Sequence, residues 1–185
     1  MMDKKKNVEN THTAQDQYEG NALLRAAYLL FWEEKDPDRR AKGFRVFLME
    51  LAKRMKEGGV GPAPCVDVNG KLIDALDLEN VQVGQKVVLQ EDVWLKMDTV
   101  TDADGNLWLP LFFHTEEVKA GQTSIVTMPV LLRDILRLGR DRDDVQGVVV
   151  SPFTKPFTLG KELLTQFLDD YDECVMGSET RNKEG

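Results

Sequence analysis

The side chains most suggestive of chemistry are three closely spaced aspartates, Asp98, Asp102 and Asp104, the last followed by a glycine. An Asp-x-Asp-Gly core occurs in calcium-binding loops, whose carboxylates hold the ion from fixed positions. In this chain Val100 occupies the first ligand position of such a loop and Leu111 the twelfth, so the outer ligands are missing. We therefore predict a hairpin turn here. A divalent-metal-dependent hydrolase that uses the three aspartates is an alternative.

Hydroxyl and thiol nucleophiles lack the neighbours that would activate them. The serines lie at positions 124, 151 and 178, and none lies in a Gly-x-Ser-x-Gly motif. Nothing in the sequence pairs Cys65 or Cys174 with His114, and no Cys/His set has zinc spacing. His114 follows an apolar run and is predicted to be a strand-end residue. A phosphate-binding glycine loop is also missing. We predict no catalytic residue, no cofactor and no bound metal.

Composition narrows the class of protein. A chain of 185 residues with 42% hydrophobic and 30% charged residues is typical of one globular domain. The net charge of −8 argues against nucleic acid and anionic membrane surfaces as partners, because both attract basic proteins. The apolar run at residues 22–32 is too short to span a bilayer and begins too late for a signal peptide. We predict a cytoplasmic protein without a membrane partner.

The distribution of apolar residues divides the chain into three parts. Residues 1–16 and 176–185 are polar and are predicted to be flexible tails. Residues 17–175 are predicted to form a single domain that begins with a helical hairpin at about 21–57. The first helix, residues 22–32, is apolar nearly all round, so either the rest of the chain or a partner must cover it.

The second part of the domain, about 64–172, is predicted to contain the sheet and further helices. Asn69-Gly70 is a strong two-residue hairpin signal. The apolar run at 147–150 is typical of a strand covered on both faces. A strand at 124–127, a helix opening at Pro129 and this last strand suggest one right-handed crossover. The predicted fold class is α+β, with a mixed, largely antiparallel sheet, one strand–helix–strand crossover and flanking helices. Other predicted elements are strands at 86–89, 93–100 and 107–113, and helices at 115–119 and 161–172.

The sequence predicts a register for the hairpin formed by the strands 93–100 and 107–113. If Asp104 and its following glycine form a two-residue turn between the strands 93–100 and 107–113, Thr101 faces Trp108 and Met97 faces Phe112. A slip of one residue would reverse both faces of the strand.

The most distinctive stretch lies between the buried strand and the last helix, at residues 151–159. Two prolines stiffen it, and two phenylalanines occur where a loop is expected. The rings either plug the end of the sheet or form the wall of a binding groove. Crevices open where strands feed helices, and helix N-termini favour anionic groups. The predicted ligand- or partner-binding residues are Phe112, Thr115, Ser151, Pro152, Phe153, Phe157 and Thr158.

Three stretches carry a resemblance to a known family. They are Leu109-Pro110-Leu111-Phe112 with Thr115-Glu116-Glu117 after it, the strand that ends in Pro152-Phe153, and Phe157-x-Leu159 leading into Lys161-Glu162-Leu163-Leu164. Together with the early helix pair, they resemble the N-terminal domain of the SseB family, named for enhanced serine sensitivity. The similarity covers roughly residues 21–172. It implies a mixed α/β domain in bacteria with no established catalytic residues.

The functional prediction combines missing catalytic chemistry with surplus apolar surface. We predict a cytoplasmic binding or regulatory domain that interacts with a protein or a small metabolite and performs no catalysis. The helix at 22–32 and the Phe153 and Phe157 loop supply the apolar surface. Besides the hydrolase, a structural subunit of a homo-oligomer is a further alternative. The sequence leaves the oligomeric state open.

Overall fold

A computed structural model of the chain describes residues 16–71, 92–121 and 126–181. The described helices are α1 (Asp16–Glu19), α2 (Ala22–Glu33), α3 (Pro37–Lys56), α4 (Thr115–Gly121), α5 (Leu132–Asp141) and α6 (Lys161–Arg181). The described strands are β1 (Val60–Asp67), β2 (Leu95–Met97), β3 (Val100–Thr101), β4 (Leu107–Leu111), β5 (Val126–Leu131), β6 (Gly147–Val150) and β7 (Phe157–Gly160). The predicted strand at 86–89 and the tail residues 1–15 and 182–185 lie outside the described residues.

The described strands form two sheets rather than one. Strands β2, β1 and β5 make a three-stranded antiparallel sheet, and β3, β4, β6 and β7 lie in that order in a second sheet. In the second sheet β4 and β6 run parallel and the other pairs antiparallel. The predicted α+β class, with largely antiparallel pairing and flanking helices, is confirmed.

The crossover joins different strands from those predicted. It connects β4 to β6, because β5 pairs with β1 in the other sheet. Pro129, predicted to open a helix, lies inside β5 opposite Pro62, and α5 begins only at Leu132. Within the described residues β5 has β1 as its one neighbour, and such an edge position tolerates a residue without a backbone N–H.

The region predicted as one strand at 93–100 divides between the two sheets. Strand β2 pairs with β1, placing Met97 opposite Cys65, whereas β3 pairs with β4, placing Val100 opposite Trp108. The predicted register is therefore wrong by one residue at Trp108, and the pairing of Met97 with Phe112 is wrong. The turn is longer than predicted, because the Asp102 carboxylate accepts the backbone N–H groups of both Asp104 and Asn106.

Two further local predictions meet different outcomes. Asn69-Gly70 was predicted to be a two-residue hairpin turn. Val68 and Asn69 bond to the segment before β2: the Val68 N–H donates to the Trp94 carbonyl, and the Asn69 side-chain amide donates to the Asp92 carbonyl. Lys71, which directly follows the predicted Asn69-Gly70 turn, has helical backbone, and residues 72–91 lie outside the described residues. Helix α6 continues to Arg181, so residues 176–181 extend a helix instead of belonging to a separate tail.

The helical hairpin forms from local signals, as predicted. The Asp36 carboxylate caps α3 by accepting the Arg39 N–H at 2.9 Å, and Pro37 takes the first helical position. Asn21, at the equivalent position before α2, makes no such bond. Its buried amide donates instead to the carbonyls of Val60 and Phe113, at 2.8 and 3.0 Å, and its oxygen accepts from Arg54. Asn21 therefore ties the hairpin to the sheet.

The described elements cover helix α2 on one side. Leu24, Tyr28 and Phe31 are buried in a core that also contains side chains of α3, β4, β6, α5 and α6. Leu23 and Leu30 on the opposite side are 66% and 73% exposed. Within the described part of the chain, other elements thus cover the inner face of this helix, but not the outer face. No helix of the described part of the chain has the length and apolar character needed to cross a membrane.

Candidate functional site

The predicted site lies where two parallel strands end side by side. Leu111 at the end of β4 pairs with Val150 at the end of β6, and the Ser151 N–H donates to the Leu111 carbonyl at 2.9 Å. Carboxyl ends of parallel strands meet at one edge of a sheet, which explains why Phe112 and Ser151 come together. Thr115 opens α4 just beyond this edge.

The aromatic side chains at this edge close it. The Phe112 ring is fully buried and stacks on Phe153, with the centroids 5.8 Å apart and the planes at 26°. Phe153 in turn lies over Gly121, where an added Cβ would come within 1.9 Å of the ring. This arrangement fits the plug interpretation of the loop for Phe153, because the ring fills the space between the strand end and the end of α4.

The other predicted residues lie elsewhere. The Phe157 ring in β7 packs on Phe31 and Phe44 of the helical hairpin, at centroid distances of 4.8 and 5.4 Å. Thr158 is exposed in the middle of β7, opposite Val149, and α6 begins only after Gly160. The predicted set therefore divides: Phe112, Thr115, Ser151, Pro152 and Phe153 lie at or beside the strand ends, whereas Phe157 belongs to an aromatic cluster against α2 and α3.

A buried carboxylate that the sequence did not reveal holds the strand ends together. Glu117 of α4 is 7% exposed, and its Oε2 accepts the Phe113 N–H at 3.0 Å and the Ser151 hydroxyl at 3.3 Å. Its Oε1 lies 3.3 Å from Arg25 Nε on α2. In the sequence Glu117 looks like an ordinary acidic residue in a first helical turn, so only the contacts identify it.

The loop after β6 is fixed by the same set of contacts. Ser151 has a φ of +46°, an uncommon value for a residue with a side chain, and its carbonyl accepts the N–H groups of Thr154 and Lys155. The Tyr28 hydroxyl donates to the Lys155 carbonyl. Burial raises the pKa of Tyr28 well above its ordinary value, and the charge of Glu117 raises it further. The Ser151 hydroxyl, itself buried, thus donates to a carboxylate that is already paired with Arg25, an arrangement suited to fixing a loop.

Glu117 provides a test of this role. Replacing Glu117 with alanine should lower the free energy of unfolding by about 1–3 kcal/mol, because the buried Phe113 N–H and the Arg25 guanidinium lose their acceptor. The neighbouring exposed Glu116, whose partner is Lys119, is the matched control, and its replacement should change stability by less than about 0.5 kcal/mol. Urea denaturation followed by circular dichroism measures both. Equal effects of the two changes would show that the contacts of Glu117 do not hold the strand ends together.

Of the three aspartates that suggested a metal site, Asp102 holds the turn. The Asp102 carboxylate also accepts Trp108 Nε1–H at 2.9 Å and the Asn106 side-chain amide at 3.0 Å. These hydrogen bonds, from Trp108 first and then Asn106, lower the pKa of Asp102 to about 2. Asp98 accepts the Thr99 N–H. Among the residues that the structure describes, no three potential metal-ligating side chains cluster, so the geometry favours the turn interpretation.

A second surface, absent from the predictions, is an open groove between α3 and α6 with a volume of about 630 Å³. Its floor and walls are mostly apolar. The contributing side chains are Leu48, Met49 and Ala52 of α3, and Phe167, Tyr171, Cys174 and Val175 of α6. The spacing on α6 places four residues along one helical face. The spacing of these apolar residues can be read from the sequence, but the space between the two helices cannot.

The edges of the groove carry opposite charges. Arg45, Lys53 and Lys56 line the α3 side, and Asp170 lines the α6 side, with exposed Glu173 one helical turn further on. Helix α6 is held in place from its other side, where Arg137 of α5 donates to both oxygens of Asp172, at 2.9 and 3.0 Å. The charges that line the groove are therefore basic on the α3 side, where Lys53 also pairs with Glu50, and acidic on the α6 side at Asp170.

Comparisons of the chain with protein-family models, with curated proteins and with solved structures found no match. The resemblance to the SseB family, which rests on the motifs at 109–117, 152–153 and 157–164, stays a prediction.

Proposed function

We propose that this protein is a non-catalytic, cytoplasmic binding domain that acts through contact with a protein, and that its contact surface is the groove between α3 and α6. The observation that carries the proposal is the open apolar space between two helices that each have a charged edge. The SseB-like motifs are compatible with a regulatory role, but they do not carry the proposal.

The dimensions of the groove suit a helical partner. From Arg45 to Lys56 the α3 wall extends for about 17 Å, or about three helical turns. Protein segments that dock in this way lay one apolar helical face into a groove and place charged residues at its edges. A volume of about 630 Å³ is also within the range of small-molecule sites, so a small metabolite is the competing ligand class.

The strand-end site supports this proposal less well. Phe112 and Ser151 are almost completely buried, and the Ser151 hydroxyl and the Glu117 carboxylate bond to each other. A binding surface must be accessible to its ligand, whereas these buried groups bond to each other and stabilise the fold. By contrast, Met49 at the groove is 70% exposed, a large fraction for an apolar side chain beside other apolar groups.

Site-specific photocrosslinking tests the proposal. A benzophenone amino acid placed at Met49 should form an adduct with a protein when cells that produce the variant are irradiated. The same probe at Leu23, which is 66% exposed on α2 and does not line the groove, is the matched control and should give none. A further Ala52→Trp change fills the groove and should remove the adduct at position 49. Adducts of small-molecule mass, or equal labelling at both positions, would contradict a protein-binding groove.

A further inference from the structure

The opposite charges of the two groove walls make the surface complementary to itself. We propose that the groove binds a second copy of this chain, so that the α3–α6 faces of two molecules pack across a two-fold axis. This inference rests on the proposed function and names its partner.

The charges supply the first argument. In a two-fold symmetric interface each residue meets the same partner twice, and the two patches are identical. If α3 of one molecule packs on α6 of the other, Lys53 and Lys56 face Asp170 and Glu173 in both halves of the contact. A groove with two walls of one sign would repel its own copy, whereas opposite walls attract and fix the orientation.

The apolar side chains supply the second argument. Met49 is 70% exposed and Val46, on the same helix, is 51% exposed, so α3 presents apolar side chains beside the groove. A two-fold axis brings Met49 of each molecule against the groove of the other. Methionine suits such a contact, because its unbranched side chain adapts to an irregular apolar space.

The small size of the face argues for a reversible contact rather than a permanent one. Two helices side by side, each about 10 Å wide and about three turns long, form a contact at the small end of specific interfaces. We therefore expect a reversible dimer with a dissociation constant in the micromolar range.

Charge reversal of the walls tests the proposal on the full chain. A first variant carries Lys53→Glu and Lys56→Glu, and a second carries Asp170→Lys and Glu173→Lys. Each variant alone should dimerise at least tenfold more weakly than the original protein, because like charges then meet in both halves of the contact. An equimolar mixture should recover association, since the acidic α3 wall of the first variant meets the basic α6 wall of the second. A chain with all four changes should also dimerise.

Sedimentation velocity over a concentration series measures the association, and circular dichroism confirms that each variant is folded. Recovery in the mixture cannot arise from misfolding of either component. The inference fails if the original protein is monomeric throughout the series, or if neither charge reversal weakens its dimer. A monomer whose Met49 probe captures a different protein overturns the second-copy inference alone. A monomer that gives no adduct at Met49 overturns the proposed function as well.

Discussion

Replacing Phe112 with alanine should lower the free energy of unfolding by about 3–5 kcal/mol. The ring has no exposed surface and stacks on Phe153 at the end of β4, so its removal leaves a cavity where two strands and α4 meet. Urea denaturation gives the change as a shift of the midpoint at an unchanged slope. A loss below about 1 kcal/mol would show that Phe112 does not belong to the core.

Phe153 is the matched partner in this test. Its ring is only partly buried, so Phe153→Ala should cost less than Phe112→Ala. The double variant should show a coupling of about 0.5–1.5 kcal/mol, because each ring forms part of the other's packing surface. If Phe112→Ala lowered stability and Phe153→Ala did not, Phe153 would be available for binding. That result would favour the alternative that the loop at 151–159 forms the wall of a binding site.

Replacing Gly147 with alanine should be the other severe change, with a loss of about 3–5 kcal/mol or no folded protein. Gly147 begins β6 with a φ of +145°, a conformation that residues with side chains rarely adopt. An added Cβ would lie 2.2 Å from the Leu159 carbonyl oxygen of β7, which is backbone and cannot rotate away. The pairing of β6 with β7 would have to open.

Gly105 separates the cost of the positive φ from the cost of the steric contact with the neighbouring strand. It also has a positive φ, of +86°, but no atom lies within 4 Å of the position that a Cβ would take. Gly105→Ala should therefore cost only the conformational penalty of about 1–2 kcal/mol. Thermal unfolding of both variants measures the difference. Similar losses would mean that the contact between β6 and β7 is looser than the structure shows.

The elements that the sequence predicted are those specified by neighbouring residues. Asp36 and Pro37 begin α3 without help from the rest of the chain, since the cap bonds to a residue three positions away. The run of apolar residues at 147–150 forms β6, covered on both faces as predicted. The Asp102 carboxylate acts on the adjacent backbone N–H groups of Asp104 and Asn106, and the presence of a turn here followed from the residue types alone.

The site residues were predicted in part, because order along the chain does not give position in space. Phe153 and Phe157 are four residues apart, but one ring stacks on Phe112 and the other joins Phe31 and Phe44. The loop between them carries the chain past the edge of β6 and back along β7. Glu117 was missed for a related reason: its partners Arg25 and Ser151 are distant in sequence.

What the sequence by itself determined is therefore the helices of the hairpin, the presence of the turn and the buried character of residues 147–150, since each can be read from residues near one another. The α+β class followed from the order of such segments along the chain. The tertiary structure alone decided that residues 93–100 divide between two sheets, that Pro129 lies in a strand and not at the start of a helix, and that β4 rather than β5 is the parallel neighbour of β6. A strand can pair with any of several strands that are distant in sequence. The backbone hydrogen bonds of a strand pair do not depend on the side chains, so the sequence does not show which partner is used. The groove between α3 and α6 was also decided by the tertiary structure alone. Periodicity shows which face of a helix is apolar, and only packing shows which part of that face the other described elements leave uncovered.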